Sequence, residues 1–520
     1  MRTQSNRRQI LGGLTALGAS ALMPAVNQAA AQGARPALSI PRELFANADG
    51  AIHLTAQTGS MTFGDRPHTS TYGINGSFLG PAVRVKRGDQ VVMHVRNALP
   101  EPTTIHWHGL IIPGQVDGGP HQIIAPGESW QAPLSIDQPA ATLWFHPHIY
   151  PATAELVIKG LAGLLLVDDD ETTRLGLPST WGLDDIPLIL QDRRFKSDGD
   201  FFHRFNLAAV TVGYVGDVAL VNGAEYPIAK TAKGWLRLRI LNGSNARSYR
   251  LAASDNRALF VIGSDGGLLA QPVQMTELVI HAGERYEVIL DARNGKAFDL
   301  VTLPVEQPIM RLPPFDVALP MVSIDPSGPI GIGVLPDTLA AMPALPSTPP
   351  PTSQTLTMNM NLDQQGMKAL MDAGLMAVTK GSASKTDLQK LTDLIEKEPV
   401  LSEIDQSAAN GVNGSSFTLD AKPFEAEQNT LLRWWINENS DAMTHPVHIH
   451  GCQFRLLTID GTAPPAHLSG WKDTVAISDG GSAEILVHFP HSAGTQTPFM
   501  AHCHILEHED SGMMAQFTVG

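Results

Sequence analysis

The chain is short of cysteine, of charge and of uninterrupted apolar stretches, and each shortage excludes a class of protein. Two Cys in 520 residues cannot build the disulfide framework of a small secreted scaffold. Charged residues make up only 17%, and 51 acidic side chains against 36 basic ones give a net charge of −15. So acidic a chain lacks the basic footprint for nucleic acid and has no affinity for an anionic membrane surface. Hydrophobic residues still amount to 43%, enough for ample core, which excludes disorder and fibre. One core rarely serves this length, so roughly two to four domains are expected.

The one candidate for a membrane-spanning run, Ile10 to about Val26, is short and broken by Gly12, Gly13, Gly18 and Pro24. It follows Arg7-Arg8 and precedes Ala29-Ala30-Ala31. Paired arginines, a modest apolar region and a small-residue site read as a twin-arginine signal over residues 1–31, in preference to an ordinary export signal or a membrane anchor. The expectation is a periplasmic protein, exported folded, without stable membrane association and monomeric.

Residues 37 to about 325 hold short β-branched and apolar runs punctuated by Gly, Pro, Asn and Asp, the texture of β-sandwiches. A weak repeat runs through the chain. Asn75-Gly76 leads to Val91–Asn97, Asn222-Gly223 to Leu236–Asn242, and Asn413-Gly414 to Leu431–Asn437. Each time an Asn-Gly turn precedes an alternating strand that ends in Asn. Three copies imply three related domains, placed at 37–175, 176–330 and 355–520, with a Pro-rich linker over 331–354. Within the third, Met367, Met371, Leu375 and then Leu388, Leu391, Leu394 and Ile395 recur at helical spacing, which predicts a helical insert at about 364–397.

Ten of the 19 His fall in four short motifs: His106-Trp107-His108-Gly109, His146-Pro147-His148, His445-Pro446-Val447-His448-Ile449-His450, and a C-terminal run from His502-Cys503-His504 through His508 to Met513-Met514. In an extended His-x-His both imidazoles share a face, close enough for one metal or two adjacent ones. One such pair arises by chance; four together, one enclosing a Cys, do not. A thiolate, an imidazole five positions on and a thioether ten positions on are donors of a blue-copper site, which needs a second His from elsewhere. On a strand, Cys503 points one way and His502 and His504 the other, so one segment joins two metal environments. With Cys503 required as a thiolate, Cys452 is left without a partner and reads as a buried small hydrophobe.

In the order and spacing of these four segments the chain resembles the multicopper oxidases. The resemblance implies an all-β fold of three cupredoxin-like Greek-key β-sandwiches, with a trinuclear copper cluster between the first and third and the second as a spacer. It implies four copper ions: one type 1 blue copper, one type 2 and one type 3 pair. By motif position the blue copper takes His445, Cys503 and His508 with Met513 axial, and the type 2 ion takes His106 and His448. The pair takes His108, His146 and His502 on one ion and His148, His450 and His504 on the other. Asp117 and Glu509 occupy the positions that supply protons for dioxygen reduction in that family; on sequence alone that role and a plain turn Asp or solvated Glu are equally good readings.

For the electron donor, two stretches matter: Met358-Asn359-Met360-Asn361-Leu362-Asp363, and Asp441-Ala442-Met443-Thr444 just before His445. A cuprous ion favours thioether sulfur with some oxygen. These residues resemble the substrate site of the copper-efflux, or cuprous, oxidases, which implies a fifth, labile copper on Met358, Asp363, Asp441 and Met443. The inserted segment of those enzymes is dense in Met, whereas here it carries only Met367, Met371 and Met376, a packing stripe rather than a relay. The expected activity is Cu(I) oxidation by dioxygen in copper tolerance. The alternatives are a laccase-like oxidase of phenols, aromatic amines or Fe(II), and a non-catalytic copper-binding or scaffold protein of the same fold.

Overall fold

Each Asn-Gly turn places its Asn in the left-handed region, with φ of 56° at Asn75, 51° at Asn222 and 52° at Asn413, where Asn is one of few residues at ease. Each side-chain oxygen then accepts from a backbone N–H of a neighbouring strand, Thr55, Ile189 or Thr357, at 2.7–2.8 Å. Each amide donates back to a carbonyl two residues earlier on that strand, His53, Pro187 or Thr355. The stitched strand runs parallel to the strand that follows the turn. The pairs are Ala51–Thr62 with Gln90–Ala98, Asp185–Arg193 with Trp235–Asn242, and Thr352–Met360 with Leu431–Glu438. The repeat seen in the sequence is therefore structural.

The computed structural model describes residues 35–307, 310–361, 406–439 and 443–520, with a few positions between 374 and 390. Its strands form six sheets, of four and four strands, then six and five, then five and five along the chain. Alternation sets which side chains meet between facing sheets. In Leu431–Glu438, Leu432, Trp434 and Ile436 turn inward while Leu431 and Trp435 stay outside. The first core joins Leu54 and Val95 to Val83, Leu143 and Leu165. The second joins Leu238 and Val288 to Leu251 and Leu300. The third joins Leu356, Trp434 and Ile485 to Val447, Ala501 and Phe517. Each fully buried side chain of this kind contributes about 1.5–3 kcal/mol.

The Pro-rich linker is irregular, with Leu339 seated in the second core and the Pro343 carbonyl accepting from Arg455 Nη1 at 3.3 Å. It ends sooner than its predicted limit of 354, since the next strand begins at Thr352. The 364–397 insert and residues 1–31 lie outside the described residues, apart from the few positions noted. Among the described residues no helix is long and apolar enough to cross a membrane.

Candidate metal centre

Two antiparallel strands of the third sandwich, Thr444–Ile449 and Phe499–Cys503, position the C-terminal donors, with Val447 opposite Cys503 and His448 opposite His502. Side-chain alternation turns Cys503 into the sandwich core. There Cys503 Sγ lies 3.4 Å from His445 Nδ1 and 3.7 Å from His508 Nδ1, all three side chains fully buried. His508 reaches this point from the short helix Leu506–Asp510, and the Ile505 N–H points at the sulfur at 3.4 Å. The chain then returns, the Cys503 N–H donating to the Met513 carbonyl at 3.0 Å. Met513 packs in the core group that holds Cys503, while Met514 faces the other way, against Phe417 and Met500.

On the opposite face of Cys503, eight buried imidazoles from the first and third sandwiches converge. His106 and His146 are held together by reciprocal backbone hydrogen bonds of 2.8 and 3.2 Å. His106 stacks on His450 with ring centroids 3.8 Å apart, and His108 on His448 at 3.6 Å. His502 Nε2 stands 3.2 Å from His148 Nε2 and 3.3 Å from His450 Nε2. The ring of His504 instead lies 5.0 and 5.3 Å from those of His108 and His146. These groupings reverse the one implied by the resemblance, which put His502 with His108 and His146. Strand register is the cause: the His450 N–H bonds to the Met500 carbonyl, so His450 lies two residues from His502 but four from His504.

The far sides of these rings are tied to acceptors. His106 Nδ1 donates to the Asp117 carbonyl at 3.0 Å, His448 Nδ1 to the Asp473 carbonyl at 2.8 Å, and His146 Nδ1 to the Pro147 carbonyl at 2.7 Å. Such bonds fix tautomer and ring direction, leaving His106 Nε2 and His448 Nε2 without a protein partner, as are both nitrogens of His504. Burial pushes His108, His146, His148, His450 and His504 well below the usual imidazole range and His448 down to about 4. Their inward lone pairs are free at neutral pH.

Glu509 is not solvated, and Asp117, which closes the turn after Gly114–Val116, is as deeply buried: both are 1% exposed. Asp117 Oδ2 accepts from His450 Nδ1 at 2.7 Å, and its other oxygen has no partner. Glu509 lies 3.3 Å from His148 Nδ1 and 3.2 Å from His502 Nδ1. Burial alone would raise the Glu509 carboxyl, but His148 and His502 beside it outweigh that and draw it below the usual carboxylate range. Met358 and Met443 are buried in the core group of Cys503, while Asp363 and Asp441 lie outside the described residues.

The second sandwich is more than a spacer. Its Arg285 meets Asp473 of the third, whose carboxylate reaches His108 of the first. Asn245 and the Tyr214 N–H, also from the second sandwich, donate to the buried Glu507 carboxylate beside His508 at 2.8 and 2.9 Å. None of Arg285, Asp473, Asn245 and Tyr214 belongs to a repeating motif. The available signal was a charged pair, Lys472-Asp473, between Trp471 and the run Thr474-Val475-Ala476-Ile477, which is unusual in a core. Both cysteines are free and buried.

The donor chemistry fits copper: imidazoles alone on one face of Cys503, and thiolate, two imidazoles and a nearby thioether on the other. Imidazole nitrogens 3.2–3.4 Å apart match the spacing of neighbouring ligands of one ion, whose metal–nitrogen bonds are about 2 Å. Fold and donors together define a copper protein of cupredoxin-like domains. Multicopper oxidase family models match residues 55–172, 196–308 and 383–520. The chain is 34% identical over 514 residues to the cell division protein FtsP of Yersinia pestis, covering 99% of this chain and 98% of that one. It is 34% identical over 469 residues to the multicopper oxidase mco of Staphylococcus aureus, covering 90% and 88%. Among solved structures, the bacterial laccase-like multi-copper oxidase CueO from the lignin-degrading bacterium Ochrobactrum sp. superposes with a TM-score of 0.79 at 37% identity, covering 93% of this chain and 100% of that one. This chain belongs to the multicopper oxidase family, and it is an oxidase that uses copper.

Proposed function

We propose that the protein oxidises Cu(I) one electron at a time and reduces dioxygen to water, using four copper ions. Bound copper would supply the electron transfers that no side chain can perform. His445, Cys503 and His508, with Met513 nearby, would hold the type 1 ion. His106 and His448 would hold the type 2 ion. His148, His450 and His502 would hold one ion of the type 3 pair, and His108, His146 and His504 the other. The observation that carries this reading is the position of Cys503: its sulfur lies among His445 and His508, and its two chain neighbours face the imidazole cluster. Electrons have a covalent route from one side of the strand to the other. Asp117 and Glu509, hydrogen-bonded to or beside cluster imidazoles, hold and pass protons.

Met443, 2% exposed, stands two residues before His445 and packs in one core group with Met358 and Cys503. Two buried thioethers in the core that holds Cys503, one of them two residues before His445, support a cuprous substrate, a labile fifth copper completed by Asp363 and Asp441. The Ochrobactrum protein has oxidase activity towards lignin model compounds and lignosulfonate, which supports a second reading, a laccase-like oxidase of phenols, aromatic amines or Fe(II). The Yersinia relative is named a cell division protein, but the complete donor set here favours an enzyme over a non-catalytic scaffold. Arg7-Arg8 and the small-residue site at Ala29–Ala31 support export to the periplasm by the twin-arginine route, and we read the enzyme as a monomer. Oxygen uptake by one preparation, driven first by Cu(I) and then by a phenol, tests the substrate. Faster uptake with Cu(I) supports the cuprous reading, and turnover of the phenol alone contradicts it.

A further inference from the structure

Three sandwiches meet at one carboxylate. Asp473 accepts from Arg285 through two parallel bonds, Nη1 to Oδ1 at 2.7 Å and Nη2 to Oδ2 at 2.6 Å. The same Oδ1 lies 3.1 Å from His108 Nε2, and Arg285, Asp473 and His108 are all 0% exposed. Arg285 is anchored in turn by the carbonyls of Thr142, Gly283 and Asp265 at 3.0–3.2 Å. Gln453 donates to Asp473 Oδ2 at 2.8 Å, and the Thr474 hydroxyl to Oδ1 at 3.0 Å. A guanidinium fork of this kind holds a carboxylate in one orientation.

The consequence falls on His108. A carboxylate oxygen only accepts, so Nε2 of His108 must carry the proton and its lone pair must sit on Nδ1, the nitrogen 3.4 Å from His146 Nε2. His106, His146, His448 and His450 have the opposite arrangement, with Nδ1 on an outer acceptor. Without Asp473, His108 would be free to take the tautomer that turns an N–H inward. Gly109 belongs to the same device: its φ is +93°, and a Cβ there would come within 2.7 Å of both Arg285 Nη2 and Asp473 Oδ2. Both Asp473 oxygens are engaged by the fork, so it is placed to orient a ligand rather than to be one.

We propose that Asp473 and Arg285 are positioning residues that fix the Nδ1-inward tautomer of His108, and that the second sandwich thereby holds the cluster in its copper-binding form. This rests on the copper assignment proposed above. The test uses copper-loaded full-length protein with Asp473→Asn, Arg285→Gln and the double variant, which leaves no lone buried charge and so separates orientation from misfolding. Two quantities are read: copper per chain retained against a chelator, and the blue absorption from the Cys503 site. The expected result is cluster copper lost roughly 10–100-fold more readily, an unchanged blue band, and a double variant no worse than either single one, as befits one linked device. Copper retention equal to the parent protein in the double variant would overturn the proposal. So would equal loss of cluster copper and blue band, which marks general loosening. A parent protein that binds no cluster copper would instead refute the copper assignment itself.

Discussion

Asp117 Oδ2 stands 2.7 Å from His450 Nδ1, a hydrogen bond between the first sandwich and the third that leaves the other Asp117 oxygen without a protein partner. A buried carboxylate with one free oxygen beside a cluster ring is suited to hand on protons. Asp117→Asn keeps the shape but cannot hold a proton. Reoxidation of the reduced enzyme by dioxygen should slow by roughly 10²–10⁴-fold, while anaerobic reduction by substrate stays near the parent rate. Stopped-flow measurement of the two half-reactions separates them, and equal slowing of both would remove the proton role. Glu509→Gln should behave in the same way.

Met358 and Met443 share the buried core around Cys503. Replacing both by Ala should raise KM for Cu(I) roughly 10–100-fold, the scale of loss when a supporting metal contact is removed. Oxidation of an organic dye, which needs no thioether, should keep its rate. Steady-state oxygen uptake with both donors decides the matter, and a parallel loss on the dye would assign the two Met to packing.

Acid should weaken the junction of the first and second sandwiches. Glu287 is 3% exposed and accepts from Thr142 of the first sandwich at 2.7 Å and from Arg237 Nε at 2.8 Å, with Arg239 Nη1 at 3.1 Å. Burial alone would raise its carboxyl, but Arg237 and Arg239 outweigh that and hold it at about 2, against 4.5 for a free Glu. A depressed carboxyl stabilises the fold above its unfolded value and loses that contribution as pH falls through the folded one. About 3 kcal/mol should therefore vanish between pH 4.5 and about 2. Unfolding followed by circular dichroism should show this acid slope, and Glu287→Gln should flatten it while lowering stability at neutral pH by about 3–5 kcal/mol.

What could be read before folding was whatever is local. The three Asn-Gly turns and their strands are short-range signals, and Asn75, Asn222 and Asn413 share one left-handed backbone conformation. The His and Cys donors stand out because scarce residue types recur at fixed spacing; the choice of Met513 over Met514 came from the resemblance, and the two do face different cores. The division of His502 and His504 was not legible, because it depends on which residue of one strand lies opposite Met500 of another. Arg285 and Asp473, 188 positions apart, carry no periodicity, and their pairing exists only once the second and third sandwiches are docked. Glu507 lies inside a motif that stood out, yet its carboxylate serves Asn245 and Tyr214 of another sandwich, a contact no spacing reveals.

In the proposed function electrons enter at Cys503 and leave through its two neighbours. Cys503→Ser, with copper analysis, absorption and oxygen uptake measured on one preparation, tests it most directly. The blue band and substrate oxidation should disappear together while the imidazole cluster still binds copper. Near-normal oxidase activity in that variant would contradict that route.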